Sequence, residues 1–274
     1  MSDKQGTLFE LELLGGPSER RYRKMRPEVE AMPWGTLDTS TIPPDRLIGA
    51  RKAWTSAAYQ EHRTGTACAA TLKALMEAQA PLDLIAMASR FPLDELVHVE
   101  LCARMAMELG GGTEIRYEPE RMIVDADPAR SDLERAADVV VRFFCVGEAL
   151  SIPLLRGTWK AAKHPLPRAV LGRIVKDEAA HGVFGYWFLD WALPSLNTES
   201  RNYLAHRANL AIEGIGQNWK RIAAAPNDVH SVSDPLSWME SSAYLELATS
   251  SMLSLVIEPL RKRGIPVMDV PSIH

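Results

Sequence analysis

The chain has 274 residues, 46% hydrophobic and 24% charged, and its 31 basic and 35 acidic side chains leave a net charge of −4. That balance lacks the basic excess of a nucleic-acid binder; the short basic cluster at residues 20–26 reads as a solvated surface stretch, with an acidic partner as its alternative. The polar first ten residues hold no apolar signal core and no run approaches the ~18 apolar residues of a membrane span, so the chain is expected to be cytoplasmic, with Cys68, Cys102 and Cys145 reduced and no CxxC pair among them.

Residues 1–45 are interrupted by Gly15, Gly16, Pro17, Pro27, Pro33, Gly35, Pro43 and Pro44, too often for a long helix, and predict an irregular N-terminal arm. Residues 46–264 read as one helical domain. Asp45 is placed to cap a helix running to about Ala78. Pro81 and Asp83 open a second, which Gly110-Gly111-Gly112 stops after Leu109, and Pro92 predicts a kink or restart just before Asp94. After a short apolar/polar alternation at 113–128, Ser131 or Asp132 opens a third helix to near Lys163, with a kink at Pro153. Pro165 and Pro167 precede a fourth, closed by Pro194, and Thr198 begins a fifth reaching about Ala224. Ser233 or Asp234 begins a sixth that ends near Arg263 with Gly264 as its C-cap, and residues 265–274 form an extended tail. No βαβ alternation interrupts this order, so the fold class is all-α: four core helices with two additional C-terminal ones.

Two strings carry chemistry: Asp94-Glu95-Leu96-Val97-His98 and Asp177-Glu178-Ala179-Ala180-His181, both D-E-x-x-H. Chance alone yields a bare E-x-x-H ~0.5 times in such a chain but the five-residue form only ~0.03 times, so two copies are significant. On a helix, positions i and i+3 share a face, about 5–6 Å apart at Cβ. A carboxylate and an imidazole so placed can converge on one metal ion, which offsets the cost of burying them in apolar helices. Two further acids stand in register. Glu148 lies 30 residues before Glu178 and Glu61 lies 34 before Glu95. A helical hairpin of that length returns to the same level at ~1.5 Å per residue. The chain thus reads twice as Glu, hairpin, Glu-x-x-His. The alternatives are a salt-bridged surface helix for the two strings, a satisfied buried acid for Glu148 and a solvated polar face around Glu61.

This pattern resembles the ferritin-like di-iron carboxylate family, which includes ribonucleotide reductase small subunits, bacterial multicomponent monooxygenases and p-aminobenzoate N-oxygenase-type enzymes. The resemblance spans roughly residues 45–193. It implies a ferritin-like four-helix bundle in which Glu61, Glu95, His98, Glu148, Glu178 and His181 hold two iron ions, or manganese or a mixed pair. Glu95 and Glu178 would bridge the metals as the catalytic carboxylates. Asp94 would orient His181, and Asp177 would orient His98. The N-oxygenase-type enzymes carry a further His one turn before the last Glu, where this chain has Ile174; His206 is a candidate to approach the site instead. The implied function is an O₂-dependent oxygenase or oxidase for a small organic substrate, fed by an external electron donor because no flavin or Fe–S motif is present, and by resemblance a homodimer. The alternative is a ferroxidase or metal-storage protein with Fe(II) as substrate. Tyr59 and Tyr186 are either radical or supporting groups or packing aromatics. Cys68, Cys102 and Cys145 share the ligand faces by their offsets, and Met105, Met107, Met239, Met252, Trp187 and Trp191 read as core or anchoring residues.

Overall fold

A computed structural model describes residues 7–224 and 239–273. Its regular elements are helices: α1 (Gly16–Met25), α2 (Pro27–Glu30), α3 (Pro44–Glu77), α4 (Leu82–Glu108), α5 (Asp132–Val140), α6 (Ala149–Ala161), α7 (Pro165–Ala192), α8 (Thr198–Ala224), α9 (Ser241–Ser251) and α10 (Glu258–Lys262). Short 3₁₀ turns lie at Pro119–Met122 and Leu193–Ser195. Among the described residues the nearest thing to a strand is one antiparallel bridge, Leu8 to Arg116. No described helix is long and apolar enough to cross a membrane.

α3 and α4 form one hairpin, α6 and α7 another, and the two join through α3 against α5 and α4 against α7. α5 starts at a capping box in which Ser131 and Glu134 satisfy each other's backbone N–H groups. It runs without a break into a π-helical stretch, Val141–Glu148, and then into α6. α8 closes over α5, where the buried Asp138 accepts from Arg142 at 2.8 Å and from Arg207 at 3.0 Å. A second π stretch, Met252–Ile257, joins α9 to α10, and Gly264 ends that rod in the left-handed region (φ +74°). The predicted start of this rod at Ser233 or Asp234 lies outside the described residues. The extended tail is held down by buried Ile265 and Val267 and by the Met268 N–H, which donates to Asn209.

Several expectations need correction. The arm is not irregular throughout: Pro17 and Pro27 start α1 and α2, since proline suits the first turn of a helix, where its missing N–H would have had no partner. α3 starts at Pro44, with Asp45 in its first turn rather than at the cap. α4 continues through Pro92 without restarting, with Ala88, Phe91 and Asp94 buried on either side of it. The basic cluster is not wholly solvated, because Arg26 is fully buried between Glu30 (2.6 Å) and Glu100 (2.5 Å). Met107 is exposed rather than a core filler, the anchoring Trp187 is half exposed, and His206 faces solvent.

Close approach of α7 to the π stretch depends on Gly185. A Cβ there would stand 2.9 Å from Phe144 Cβ and 3.0 Å from the Cys145 backbone nitrogen. Neither atom can swing away as a side-chain tip can. Gly185→Ala is therefore expected to destabilise the fold by about 1–3 kcal/mol, the usual range for overpacking a tight core, as read from the midpoint of denaturant unfolding.

Candidate metal centre

Four helical segments bring six acids and imidazoles to one place. α3 supplies Glu61, α4 supplies Glu95 and His98, the end of the π stretch supplies Glu148, and α7 supplies Glu178 and His181. They fall into two groups, Glu61–Glu95–His98–Glu178 and Glu95–Glu148–Glu178–His181, and within each group one donor atom per residue lies within 4.8 Å of all the others. Glu95 and Glu178 belong to both. Glu95 turns Oε2 toward His98 (Nδ1, 3.8 Å) and Oε1 toward His181 (Nδ1, 3.2 Å). Glu178 turns Oε1 toward His98 (3.2 Å) and Oε2 toward His181 (3.0 Å). Each of these carboxylates thus divides its oxygens between the two halves, as a bridging ligand would. Glu61 Oε2 stands 3.9 Å from His98 Nδ1.

Both imidazoles point Nδ1 inward and Nε2 outward. His98 Nε2 lies 3.2 Å from Asp177 Oδ2, a hydrogen bond that leaves Nδ1 as the lone-pair donor when Nε2 carries the proton. His181 Nε2 faces Asp94 at 3.8 Å, an ion-pair distance rather than a hydrogen bond. Each Asp is backed by an arginine four residues earlier, Arg173 against Asp177 and Arg90 against Asp94. The repeat in the sequence is therefore R-x-x-x-D-E-x-x-H, longer than the D-E-x-x-H reading, and the arginines were there to be found.

Two apolar cores meet at this cluster. On α4, Phe91 of one core precedes Glu95 and Leu101 and Cys102 of the other follow it. On α7 the order reverses, with Ile174 before Glu178 and Phe184 after His181. The Phe91 ring packs on His181 at 4.2 Å between centroids. Gly65, one turn past Glu61, allows α3 to approach: a Cβ there would lie 3.3 Å from Glu95 Cβ. The π stretch also explains a wrong expectation. Counting back three residues from Glu148 puts Cys145 on the ligand face only at α-helical period; in the wider π winding its sulfur turns to Gly185 instead. Tyr59 accepts from the Glu118 N–H, and the Tyr186 hydroxyl reaches the Cys145 carbonyl (3.1 Å) and the Leu255 carbonyl, tying the two π stretches together.

The donor set fits a pair of metal ions. Both oxygens of Glu95, Oε2 of Glu178, Nδ1 of His98 and both ring nitrogens of His181 are buried without a hydrogen-bond partner, which an apolar core does not tolerate unless something else engages them. Without metal, burial and the neighbouring Glu95 carboxylate push Glu61 well above the ordinary carboxylate range, and burial and Glu178 do the same to Glu148. Burial opposes charge on the imidazoles, yet the surrounding carboxylates outweigh it, raising His98 well above its usual value and His181 to about 12. Burial likewise opposes charge on Glu178, but His181 and His98 hold it below its usual range.

A cavity of about 540 Å³ opens against one side of the cluster and is lined by Glu61, Glu148 and Glu178 together with Ala53, Ala57, Gln60, Thr64, Phe143, Ser151, Leu154, Leu155, Thr158, Ile222, Met239 and Tyr244. Ser151 Oγ lies 3.3 Å from Glu148 Oε2 at its edge. No protein-family model matches the chain, and no curated protein is significantly similar to it in sequence.

Metal binding must displace the protons that Glu61, Glu148, His98 and His181 hold, since only their deprotonated forms ligate. Divalent-metal affinity is thus expected to fall steadily as pH drops from 8 to 6, and loading should release protons into a weakly buffered solution. A pH-independent affinity would contradict the assignment. Glu95→Ala/Glu178→Ala is expected to abolish stoichiometric metal retention, as measured by elemental analysis after desalting, while helicity by circular dichroism is kept.

Proposed function

We propose that α3, α4, the continuous α5–α6 rod and α7 form a ferritin-like four-helix bundle holding two metal ions, and that the chain is an O₂-dependent di-iron oxygenase or oxidase. The observation that carries this reading is the sharing of Glu95 and Glu178 between the two histidine groups beside an open, apolar cavity. Two divalent ions would balance four carboxylates. The ligand chemistry, mixed carboxylate and imidazole, suits iron or manganese. Such a pair supplies dioxygen reduction; electrons must arrive from outside the chain.

The chain's own residues divide the remaining work. Glu61 and Glu148 close the two ends of the ligand set. Asp177 orients the imidazole of His98, whereas Asp94 faces His181 without hydrogen-bonding it. Phe91, Phe144 and Phe184, whose rings pack at 5.0–5.5 Å, keep water from the back of His181. The cavity walls supply no Lys or Arg among the described residues, and away from the three carboxylates the neutral polar groups Gln60, Thr64, Ser151, Thr158, Ser241 and Tyr244 stand among apolar ones. An anionic head group would be desolvated there with no countercharge, so the substrate is read as a small, uncharged, largely apolar organic molecule.

The test is iron loading under low oxygen followed by exposure to air, with oxygen consumption measured across neutral and anionic candidate compounds. About two irons per chain and uptake stimulated by neutral apolar compounds are expected. Sustained oxidation of many Fe(II) per chain would instead identify Fe(II) as the substrate. Leu155→Trp, which fills the cavity, should remove the stimulation while leaving both irons bound.

A further inference from the structure

The two R-x-x-x-D-E-x-x-H helices are not supported alike. On α7, Arg173 pairs with Asp177, and its Nε donates to Glu28 Oε1 at 2.8 Å. Asp177 in turn engages His98 Nε2 at 3.2 Å. An unbroken series of charged contacts therefore runs from α2, in the N-terminal arm, to an imidazole of the metal centre. On α4, the counterpart Arg90 has a side chain 68% exposed and stands 3.2 Å from Asp94, which is itself 3.8 Å from His181.

The arm grips both motif helices at this level. Arg26, with none of its side chain exposed, donates to Glu100, two residues past His98 on α4. The Tyr22 hydroxyl donates to the carbonyl of Leu96, two residues before His98, at 3.4 Å. Val29 is fully buried between these anchors. Undocking the arm would part Arg26 from Glu100, a largely buried charge pair whose separation is destabilising, and would leave Arg173 with Asp177 alone.

We infer that residues 22–30 are a clasp for the His98 half of the centre. Glu28 and Arg173 are positioning residues: they fix Asp177, which fixes the ring of His98, so that arm docking and metal retention form one linked equilibrium. The inference rests on the six residues binding metal and not on which reaction follows. Linkage is reciprocal, so metal must also tighten the arm. Hydrogen-bond partners of ligating histidines commonly change metal affinity by roughly 10–100-fold.

Mn(II) is the probe, with two readouts on the full chain: metal retained after desalting, and the rate of tryptic nicking at the exposed Arg20, Arg21 and Lys24 of α1. Glu28 is half exposed, so Glu28→Gln threatens the fold little. It is expected to weaken metal retention at the His98 half of the centre, by less than the roughly 10–100-fold that loss of Asp177 itself would cost. Arg173→Gln should do the same, and Arg173→Lys should recover part of the loss. Metal should slow nicking several-fold in the wild type and far less in Glu28→Gln. Glu28→Gln with wild-type retention, or wild-type nicking indifferent to metal, overturns the clasp. A wild-type chain that retains no Mn(II) overturns it together with the centre it serves.

Discussion

Gathering four carboxylates and two imidazoles within a few ångströms inside a helical core is costly, because each carboxylate loses water and raises the energy of its neighbours. The protons held by Glu61, Glu148 and the two histidines relieve part of that cost, but several donor atoms of Glu95, Glu178 and His181 still find no hydrogen-bond partner. The remainder of the architecture follows from keeping these groups together. Gly65 lets α3 come near Glu95, and Gly185 lets α7 lie on the π stretch. The Phe91–Phe144–Phe184 cluster seals the His181 side.

The centre has a closed back and an open front. Glu61, Glu148 and Glu178 border the cavity, whereas Asp177, Arg173 and Glu28 stand behind His98. The repeated motif would by itself give two equivalent halves, and it is the surroundings that make them unequal. A fully buried arginine in the arm braces one half. The other depends on Arg90, whose partly solvated pairing contributes at most about 1 kcal/mol.

What could be read from the sequence was whatever repeats at 3.6 residues. The register of Glu61 with Glu95 and of Glu148 with Glu178 survives into three dimensions because it depends on hairpin length, not on side-chain detail. What escaped was whatever breaks that period or crosses the chain. The π winding of Val141–Glu148 adds residues to a turn, which carried Cys145 off the predicted face while leaving Glu148 on it. Arg26 looked solvated because its partner Glu100 lies 74 positions away. Met107 reads as a core filler by residue type and Trp187 as an anchor by its spacing from Trp191, yet their positions on α4 and α7 face outward. Arg90 and Arg173 were legible in principle, since both sit four residues before the Asp of the motif.

The same division separates what would hold metal from what would choose a substrate. The six donor residues come from α3, α4, the π stretch and α7, while part of the cavity wall comes from Ile222 of α8, from Met239 and from Tyr244 of α9. These wall residues are distant in sequence from the D-E-x-x-H strings and belong to elements the ligand set does not require. Substitutions there change the shape of the space in front of Glu148 and Glu178 without touching a donor atom. Under the proposed reading, the charge balance of such a centre would be fixed by the four central segments, and its selectivity would be set separately by the helices laid across them.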